Sequence, residues 1–397
     1  MKQVVIVGAG QAGATAAARL RALGFGGAVT LIGQETTLPY QRPPLSKKYL
    51  LGEMDLERLH LRPGKFYAEA GIDLRRGIAV QAIDRARCRV VTTMGDLPYD
   101  ALILTTGARA RPLPETLGAD PARVHVVRTL ADVDRMAPEF GAGRRVLIVG
   151  GGYIGLEAAA VAVRLGLQVT LVEMSARILQ RVAAPETSDY FRALHRDRGV
   201  EILEATGLQS LAGGKAVLTD GQVRSYDFII AGIGILPNDG LAAAAGLDCD
   251  GGVLVNARGQ SSDPAIWAAG DCARFSFRGQ MLRLESVQNA IDQAEAVAAN
   301  LMGAAQDYRP KPWFWSDQYE TKLQIAGLNT GYDRVVVRHG AQPGTSAHWY
   351  YRGEELLAVD AINEPRCYMV AKRLIDAGRS PAPERVADPG VELKALL

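Results

Sequence analysis

Cysteine is scarce and scattered in this chain. The four present, Cys88, Cys249, Cys272 and Cys367, form no CxxC and no close pair, which excludes a local dithiol redox centre. Cys88, inside Arg87-Cys88-Arg89-Val90, reads as a plain strand residue. The five histidines show no metal-ligand spacing, so no metal is expected and each histidine is read as structural or surface. No stretch of about 18 apolar residues is present to span a bilayer. Charge of one sign is also lacking: 45 Lys and Arg against 43 Asp and Glu leave a net +2, which argues against nucleic acid or an anionic membrane as the main partner. The chain passes from Met1-Lys2-Gln3 directly into a strand pattern with no leader, so a cytoplasmic location is the expectation. With 397 residues and 48% hydrophobic content it has room for two or three domains, each with its own core.

What is abundant is patterned glycine. Two fingerprints occur, Gly8-Ala9-Gly10-Gln11-Ala12-Gly13 and Gly150-Gly151-Gly152-Tyr153-Ile154-Gly155. Each follows a β-branched run (Val4-Val5-Ile6-Val7 and Val146-Leu147-Ile148-Val149) and precedes an alanine-rich helical stretch, as a dinucleotide-binding strand–turn–helix requires. In such a turn the first glycine permits the bend, the second admits a pyrophosphate and the third lets helix pack on strand, with the phosphates at the positive end of the helix dipole. An acid about 20 residues on should meet a ribose. Both halves supply one, Glu35 after Val29-Thr30-Leu31-Ile32 and Glu173 after Val169-Thr170-Leu171-Val172.

The duplication extends further. Tyr99-Asp100-Ala101-Leu102-Ile103-Leu104, leading to Gly107, is echoed by Tyr226-Asp227-Phe228-Ile229-Ile230-Ala231, leading to Gly232. Between the first fingerprint and the first echo, Arg42-Pro43-Pro44-Leu45-Ser46-Lys47 reads as a proline-stiffened loop with Ser46 as the N-cap of a short helix starting at Lys47. Further on, Trp267-Ala268-Ala269-Gly270-Asp271 ends a strand on a carboxylate able to accept hydrogen bonds from a polyol. The predicted fold class is α/β: two Rossmann-like dinucleotide-binding domains plus a C-terminal α+β domain. In that last domain Val335-Val336-Val337 and Leu356-Leu357-Ala358-Val359 read as strands of an antiparallel sheet.

The order GxGxxG, Arg-Pro-Pro-Leu-Ser-Lys, Thr-Thr-Gly, Gly-Gly-Gly-Tyr-Ile-Gly-Leu-Glu, Gly-Ile-Gly-Ile-Leu-Pro, Ala-Ala-Gly-Asp, Glu-Ser-Val-Gln-Asn-Ala and Trp-Phe-Trp-Ser-Asp-Gln resembles the FAD-dependent, NADH-linked ferredoxin reductases. These have a glutathione-reductase-like fold and serve bacterial cytochrome P450 and aromatic-ring dioxygenase systems. The resemblance covers essentially the whole chain. It implies a discontinuous FAD-binding domain over 1–111 and 238–308, an NADH-binding domain over 112–237 and a C-terminal domain over 309–397.

For FAD it implies Gly8, Gly10 and Gly13 at the pyrophosphate, Glu35 at the adenosine ribose, Asp271 at the ribityl chain and Arg42 and Lys47 nearer the flavin, with Thr106, Gly107, Glu285, Val287 and Trp315 also contributing. Asn289 and Gln318 join Glu285 and Trp315 in lining one flavin side by the same likeness. Val287 stands where some members carry tryptophan, so no aromatic relay is expected at that position. For NADH it implies Gly150, Gly152, Tyr153, Ile154, Gly155, Glu173 and Gly234. Glu173 favours NADH over NADPH by repelling a 2′-phosphate, while Arg177 is the nearby group that would accommodate one.

The resemblance further implies that Lys47 and Glu157 meet beside the flavin and tune it as the catalytic pair; the alternative for Glu157 is a favourable charge in a first helical turn. The implied activity is electron transfer from NADH to a [2Fe-2S] ferredoxin, the flavin converting a two-electron donor into one-electron deliveries. Arg309 and Lys311 are either a steering patch for an acidic ferredoxin or solvated loop charges. A rubredoxin reductase or NADH oxidase on the same scaffold, and an apoptosis-inducing-factor-like protein regulated by bound nucleotide, are the alternatives. Oligomeric state is left open.

Overall fold

A computed structural model describes residues 1–397. Two compact units alternate along the chain, one made of Met1–Gln41, Asp55–Arg109 and Ile235–Pro312, the other of Arg42–Met54, Ala110–Gly234 and Trp313–Leu397.

The first unit is built on a five-stranded parallel sheet in the order Ile266–Ala268, Ala101–Leu104, Gln3–Val7, Ala28–Gly33, Ile72–Arg76. Its central strand is buried on both faces, which is why it reads as a continuous apolar run and shows no alternation. On one face Val4, Ile6, Val29 and Leu31 pack against Ala12, Ala16, Ala17 and Leu20 of helix Gln11–Ala22 and against Ala290, Ala294, Val297 and Ala298 of helix Val287–Leu301. Small alanine side chains let both helices share that face. The opposite face, with Val5, Val7, Leu102 and Leu104, is covered by residues of the connecting segments such as Leu247, Val253 and Phe275.

The second unit repeats the motif: Glu201–Leu203, Gln168–Val172, Arg145–Val149, Phe228–Ala231 and Val124–His125 form a second parallel sheet. It also contains a five-stranded antiparallel sheet in the order Trp313–Gln318, Thr321–Gly327, Glu355–Ile362, Ser346–Arg352, Arg334–His339, covered by helix Pro365–Asp376. The two runs expected as antiparallel strands lie within Arg334–His339 and Glu355–Ile362.

The Tyr-Asp echo has one physical role in both copies. Asp100 Oδ2 accepts the Gln3 N–H at 2.9 Å, and Asp227 Oδ2 accepts the Arg145 N–H at 2.7 Å, so each aspartate caps the start of its unit's central strand. Backbone hydrogen bonds from Lys2 and Gln3 hold the Asp100 carboxyl below its ordinary range. The Arg145 side chain and then its backbone do the same for Asp227. Tyr99 and Tyr226 are buried beneath.

Two local expectations are corrected. Ser46 does not cap a helix starting at Lys47: Pro43–Ser46 is itself a 3-10 turn that Lys47 ends, because the two prolines favour the start of a helical turn. Cys88 is not within a strand but in the turn between Val80–Asp84 and Arg89–Thr92, with φ 50°, where it closes the reversal between the two strands.

Candidate cofactor sites and the Lys47–Glu157 pair

Register decides what gathers at the carboxyl ends of the sheets. In the first unit Val7 pairs with Ile32 and Leu104, and Leu104 pairs with Ala268. Gly8, Glu35, Thr106, Gly107 and Asp271 therefore all emerge at one end of the sheet, where ligands of doubly wound folds bind. In the second unit Val149 pairs with Val172 and Ala231, which brings Gly150, Glu173 and Gly234 to the equivalent end.

The glycines of each fingerprint divide into two kinds. A Cβ on Gly8, whose φ is 112°, would lie 2.2 Å from the Thr105 carbonyl oxygen, and one on Gly13 would lie 1.9 Å from that of Gly8. In the second turn a Cβ on Gly150 would lie 2.5 Å from Gly232 O, and one on Gly155 would lie 2.0 Å from Gly150 O. These four are required by the protein's own packing. Gly10 and Gly152 differ, since a Cβ on either would meet nothing within 4 Å. Each is the N-cap of a 12-residue helix and offers no side-chain cap to the first amides. A bare helix start facing open space is the cradle a pyrophosphate needs, so both turns fit a dinucleotide.

The acids at the strand ends are held in place. Glu35 Oε2 accepts the Tyr40 hydroxyl at 2.5 Å. Glu173 accepts the Gly151 N–H on one oxygen and the Ser175 N–H on the other, each at 2.7 Å. Arg177 is committed elsewhere: its guanidinium donates to Ser188 Oγ and, at 2.8 Å, to the Ala183 carbonyl. Gly234 adopts φ 102°, and its carbonyl accepts the Arg111 N–H at 2.9 Å.

Around the first site, Thr106 and Asn238 exchange hydrogen bonds, Oγ1 to Asn238 O at 2.7 Å and Asn238 Nδ2 to Thr106 O at 2.9 Å, while Asn238 N donates to Gly107 O. Asp271 sits in the 3-10 turn Gly270–Cys272, and Arg283 ties it to Glu285 by donating to the Asp271 carbonyl at 2.9 Å and pairing with the Glu285 carboxylate at 2.6 Å. Val287 begins a helix whose Asn289 N–H is received by Ser286 Oγ at 3.1 Å. Asn289 itself donates to Leu284 O and accepts from the Tyr308 hydroxyl.

In the second unit Lys47 Nζ meets Glu157 Oε2 at 2.6 Å, with side-chain exposures of 16% and 2%. Glu157 lies beyond the first turn of helix Tyr153–Arg164, so the capping-charge alternative does not describe it. The same Oε2 accepts the Ser46 hydroxyl at 2.6 Å, and Oε1 accepts that of Ser316 at 2.7 Å. Arg42 donates to the Arg128 carbonyl at 2.6 Å. The Trp315 ring makes tilted contacts with Trp313 and Phe314, with ring centroids at 5.5 and 6.3 Å. Tyr153 packs its ring 5.1 Å from Phe314, and its hydroxyl is buried without a hydrogen-bond partner; burial, with the nearby Asp360 carboxylate, raises its pKa well above the phenol value. Ile154 is exposed beside it.

Sequence reasoning missed Ser46 and Ser316 as partners of Glu157, Arg283 as the tie between Asp271 and Glu285, and His195, which meets Gln318 at 2.8 Å. Gln318 is fully buried and bonded to His195 and Ser316. Only the Trp-Ser-Asp-Gln segment carried any signal for this group.

Residues 2–294 match the pyridine nucleotide-disulphide oxidoreductase family, and residues 313–397 match the reductase C-terminal domain. The chain is 42% identical to putidaredoxin reductase CamA of Pseudomonas putida over 99% of its own length and 96% of the relative's. It is 41% identical to the ferredoxin–NAD(+) reductase component of the anthranilate 1,2-dioxygenase system of Burkholderia cepacia, over 99% and 98%. The crystal structure of the covalent putidaredoxin reductase–putidaredoxin complex superposes with a TM-score of 0.96 at 41% identity, covering 100% of this chain and 98% of that one. Motifs, paired cradles and relatives agree: this chain belongs to the FAD-dependent NADH:ferredoxin reductase family, whose cofactors are FAD and NADH.

Proposed function

We propose that the chain is a reductase that moves electrons from NADH to a [2Fe-2S] ferredoxin serving a cytochrome P450 or a Rieske-type oxygenase. One observation carries the reading: two open glycine cradles at the ends of two parallel sheets, in a chain whose four cysteines are all free. Nucleotide electrons then need an outlet other than a protein disulfide. Relatives named for ferredoxin reduction, over nearly the full length, supply its identity.

Bound FAD supplies a centre that accepts two electrons from nicotinamide and releases them singly. In this reading Gly8, Gly10, Gly13, Glu35, Thr106, Gly107, Asp271, Glu285 and Val287, with Arg42, Lys47 and Trp315, serve FAD. Gly150, Gly152, Tyr153, Ile154, Gly155, Glu173 and Gly234 serve NADH. The first helix starts bind phosphate through uncapped amides, and Glu35 and Glu173 orient ribose hydroxyls. The Lys47 ammonium supplies fixed positive charge, and Glu157 holds it in one place. The assignment corresponds to an FAD-binding domain over 1–111 and 238–308, an NADH-binding domain over 112–237 and a C-terminal domain over 309–397, working in the cytoplasm.

The test is carrier dependence. NADH consumption in air by the purified yellow protein should be slow and should rise at least tenfold when an oxidised [2Fe-2S] ferredoxin and its oxygenase are added. Rapid oxygen-dependent consumption without any carrier, unaffected by ferredoxin, would assign the chain to the oxidases instead.

A further inference from the structure

Beyond the Lys47–Glu157 pair, three polar side chains continue inward from Glu157 in a single file. Glu157, Ser316, Gln318 and His195 are each at most 2% exposed. Ser316 and Gln318 come from strand Trp313–Gln318 and His195 from helix Pro185–Asp197. Buried groups of this kind must satisfy one another, because an unmet donor or acceptor there has no water to turn to.

Their hydrogen-bond directions are fixed by chemistry. A carboxylate only accepts, so the single proton of Ser316 Oγ is committed to Glu157 Oε1 at 2.7 Å. Ser316 Oγ must then receive the Gln318 Nε2–H at 3.2 Å. That turns the Gln318 carbonyl oxygen to His195 Nε2 at 2.8 Å, and an amide oxygen can only accept. His195 therefore carries its proton on Nε2 and leaves Nδ1 to accept the Tyr319 hydroxyl at 3.2 Å. Burial keeps the imidazole neutral by pulling its pKa down to about 4. Every donor in the file points toward Glu157, and hydrogen bonds aligned in one sense polarise one another.

We propose that Ser316, Gln318 and His195 are positioning residues for the Lys47–Glu157 pair: a one-way relay, anchored by the Nε2–H tautomer of His195, that fixes the direction in which the Glu157 carboxylate faces and so where the Lys47 ammonium is held. Reversing any link sets two lone pairs against each other and releases Glu157 Oε1. The proposal rests on the reading above in which Lys47 serves the flavin.

Two readouts test it. In oxidised, FAD-loaded protein labelled with 15N-histidine, with neither nucleotide nor ferredoxin present, His195 should show the neutral Nε2–H tautomer at pH 7, its signal identified by loss in His195→Gln. An Nδ1–H tautomer or an imidazolium would overturn the relay. Because that spectrum needs no electron transfer, it stands or falls separately from ferredoxin reduction. In anaerobic stopped flow, Ser316→Ala should lower the limiting rate of flavin reduction by NADH about tenfold with the half-saturating NADH concentration unchanged. In a Lys47→Met background the same substitution should change it less than twofold, since the group being positioned is gone. A full tenfold effect in that background would overturn the positioning role. Should Ser316→Ala not accumulate as folded protein, Gln318→Met interrupts the file one link further in and is held to the same two outcomes.

Discussion

Glu173 reaches back across the second glycine turn to accept the N–H of Gly151 at 2.7 Å. The bond sets the carboxylate at the mouth of the nucleotide cradle, and a second one from Ser175 fixes the other oxygen. Lone pairs remain on both oxygens for a pair of ribose hydroxyls. A 2′-phosphate at the same place would meet like charge, and Arg177 cannot offset it while its guanidinium is bound to Ser188 and Ala183.

NADH should therefore be favoured over NADPH by about 100-fold in kcat/KM, a difference of about 3 kcal/mol. Glu173→Ala should reduce that preference by about tenfold, chiefly by weakening NADH use. Arg177→Ala should leave the preference alone and lower thermal stability. Steady-state kinetics with both nucleotides, paired with melting curves, checks all three.

The fingerprint glycines should separate by substitution. Gly13→Ala drives a Cβ to 1.9 Å from a backbone oxygen, and the protein should fail to accumulate in folded form. Gly10→Val meets only open space, so the protein should fold but purify with little flavin. Gly152→Val should retain flavin and lose NADH affinity. Flavin content by absorbance, set against the far-UV circular dichroism of each variant, gives the answer.

Lys47→Met removes the cation from a carboxylate that is 2% exposed. Leaving such a charge unpaired costs about 3–5 kcal/mol when the site is dry, and the two serine hydroxyls that remain should hold the loss toward the lower end. Flavin reduction by NADH should slow at least tenfold in the same variant. Unchanged hydride-transfer rates would remove Lys47 from the mechanism.

Stability should climb as pH rises from about 4 to 6.5. Burial, the dominant cause in each case, lowers both His195 and His348 to about 4, so the unfolded chain binds more protons than the folded one across that window. Each histidine contributes about 3 kcal/mol to the rise. Asp360 works in the opposite sense: burial raises it to about 6, so the stability it confers when protonated is lost as pH rises toward 6, by about 3 kcal/mol. Two rising terms outweigh one falling term. Urea unfolding at pH 4.5 and 6.5 should show the net gain, and His348→Gln should remove most of it, because the remaining His195 rise and the Asp360 fall nearly cancel.

What could be read from the sequence was whatever the backbone dictates locally. A turn whose Cβ would strike a carbonyl must be glycine, so Gly8, Gly13, Gly150 and Gly155 announce themselves, and the strand-capping Asp100 and Asp227 repeat because both parallel sheets start in the same way. The partners of Glu157 were hidden for the opposite reason. Ser46, Ser316 and His195 stand far apart in sequence and acquire their roles only when a proline-stiffened loop, a sheet edge and a helix meet. The corrections at Ser46 and Cys88 have the same origin, since a hydroxyl that reads as a cap was taken by a distant carboxylate, and a thiol within a charged run fell at the reversal of two strands.

Anaerobic titration of the yellow protein with NADH, followed by oxidised [2Fe-2S] ferredoxin, with flavin and cluster absorbance both recorded, shows directly where the nucleotide's electrons go. A ferredoxin reductase should show rapid flavin bleaching and then reduction of two clusters per NADH consumed. Rapid bleaching that leaves the clusters oxidised with every ferredoxin tried, and that oxygen or rubredoxin then reverses, would contradict that function.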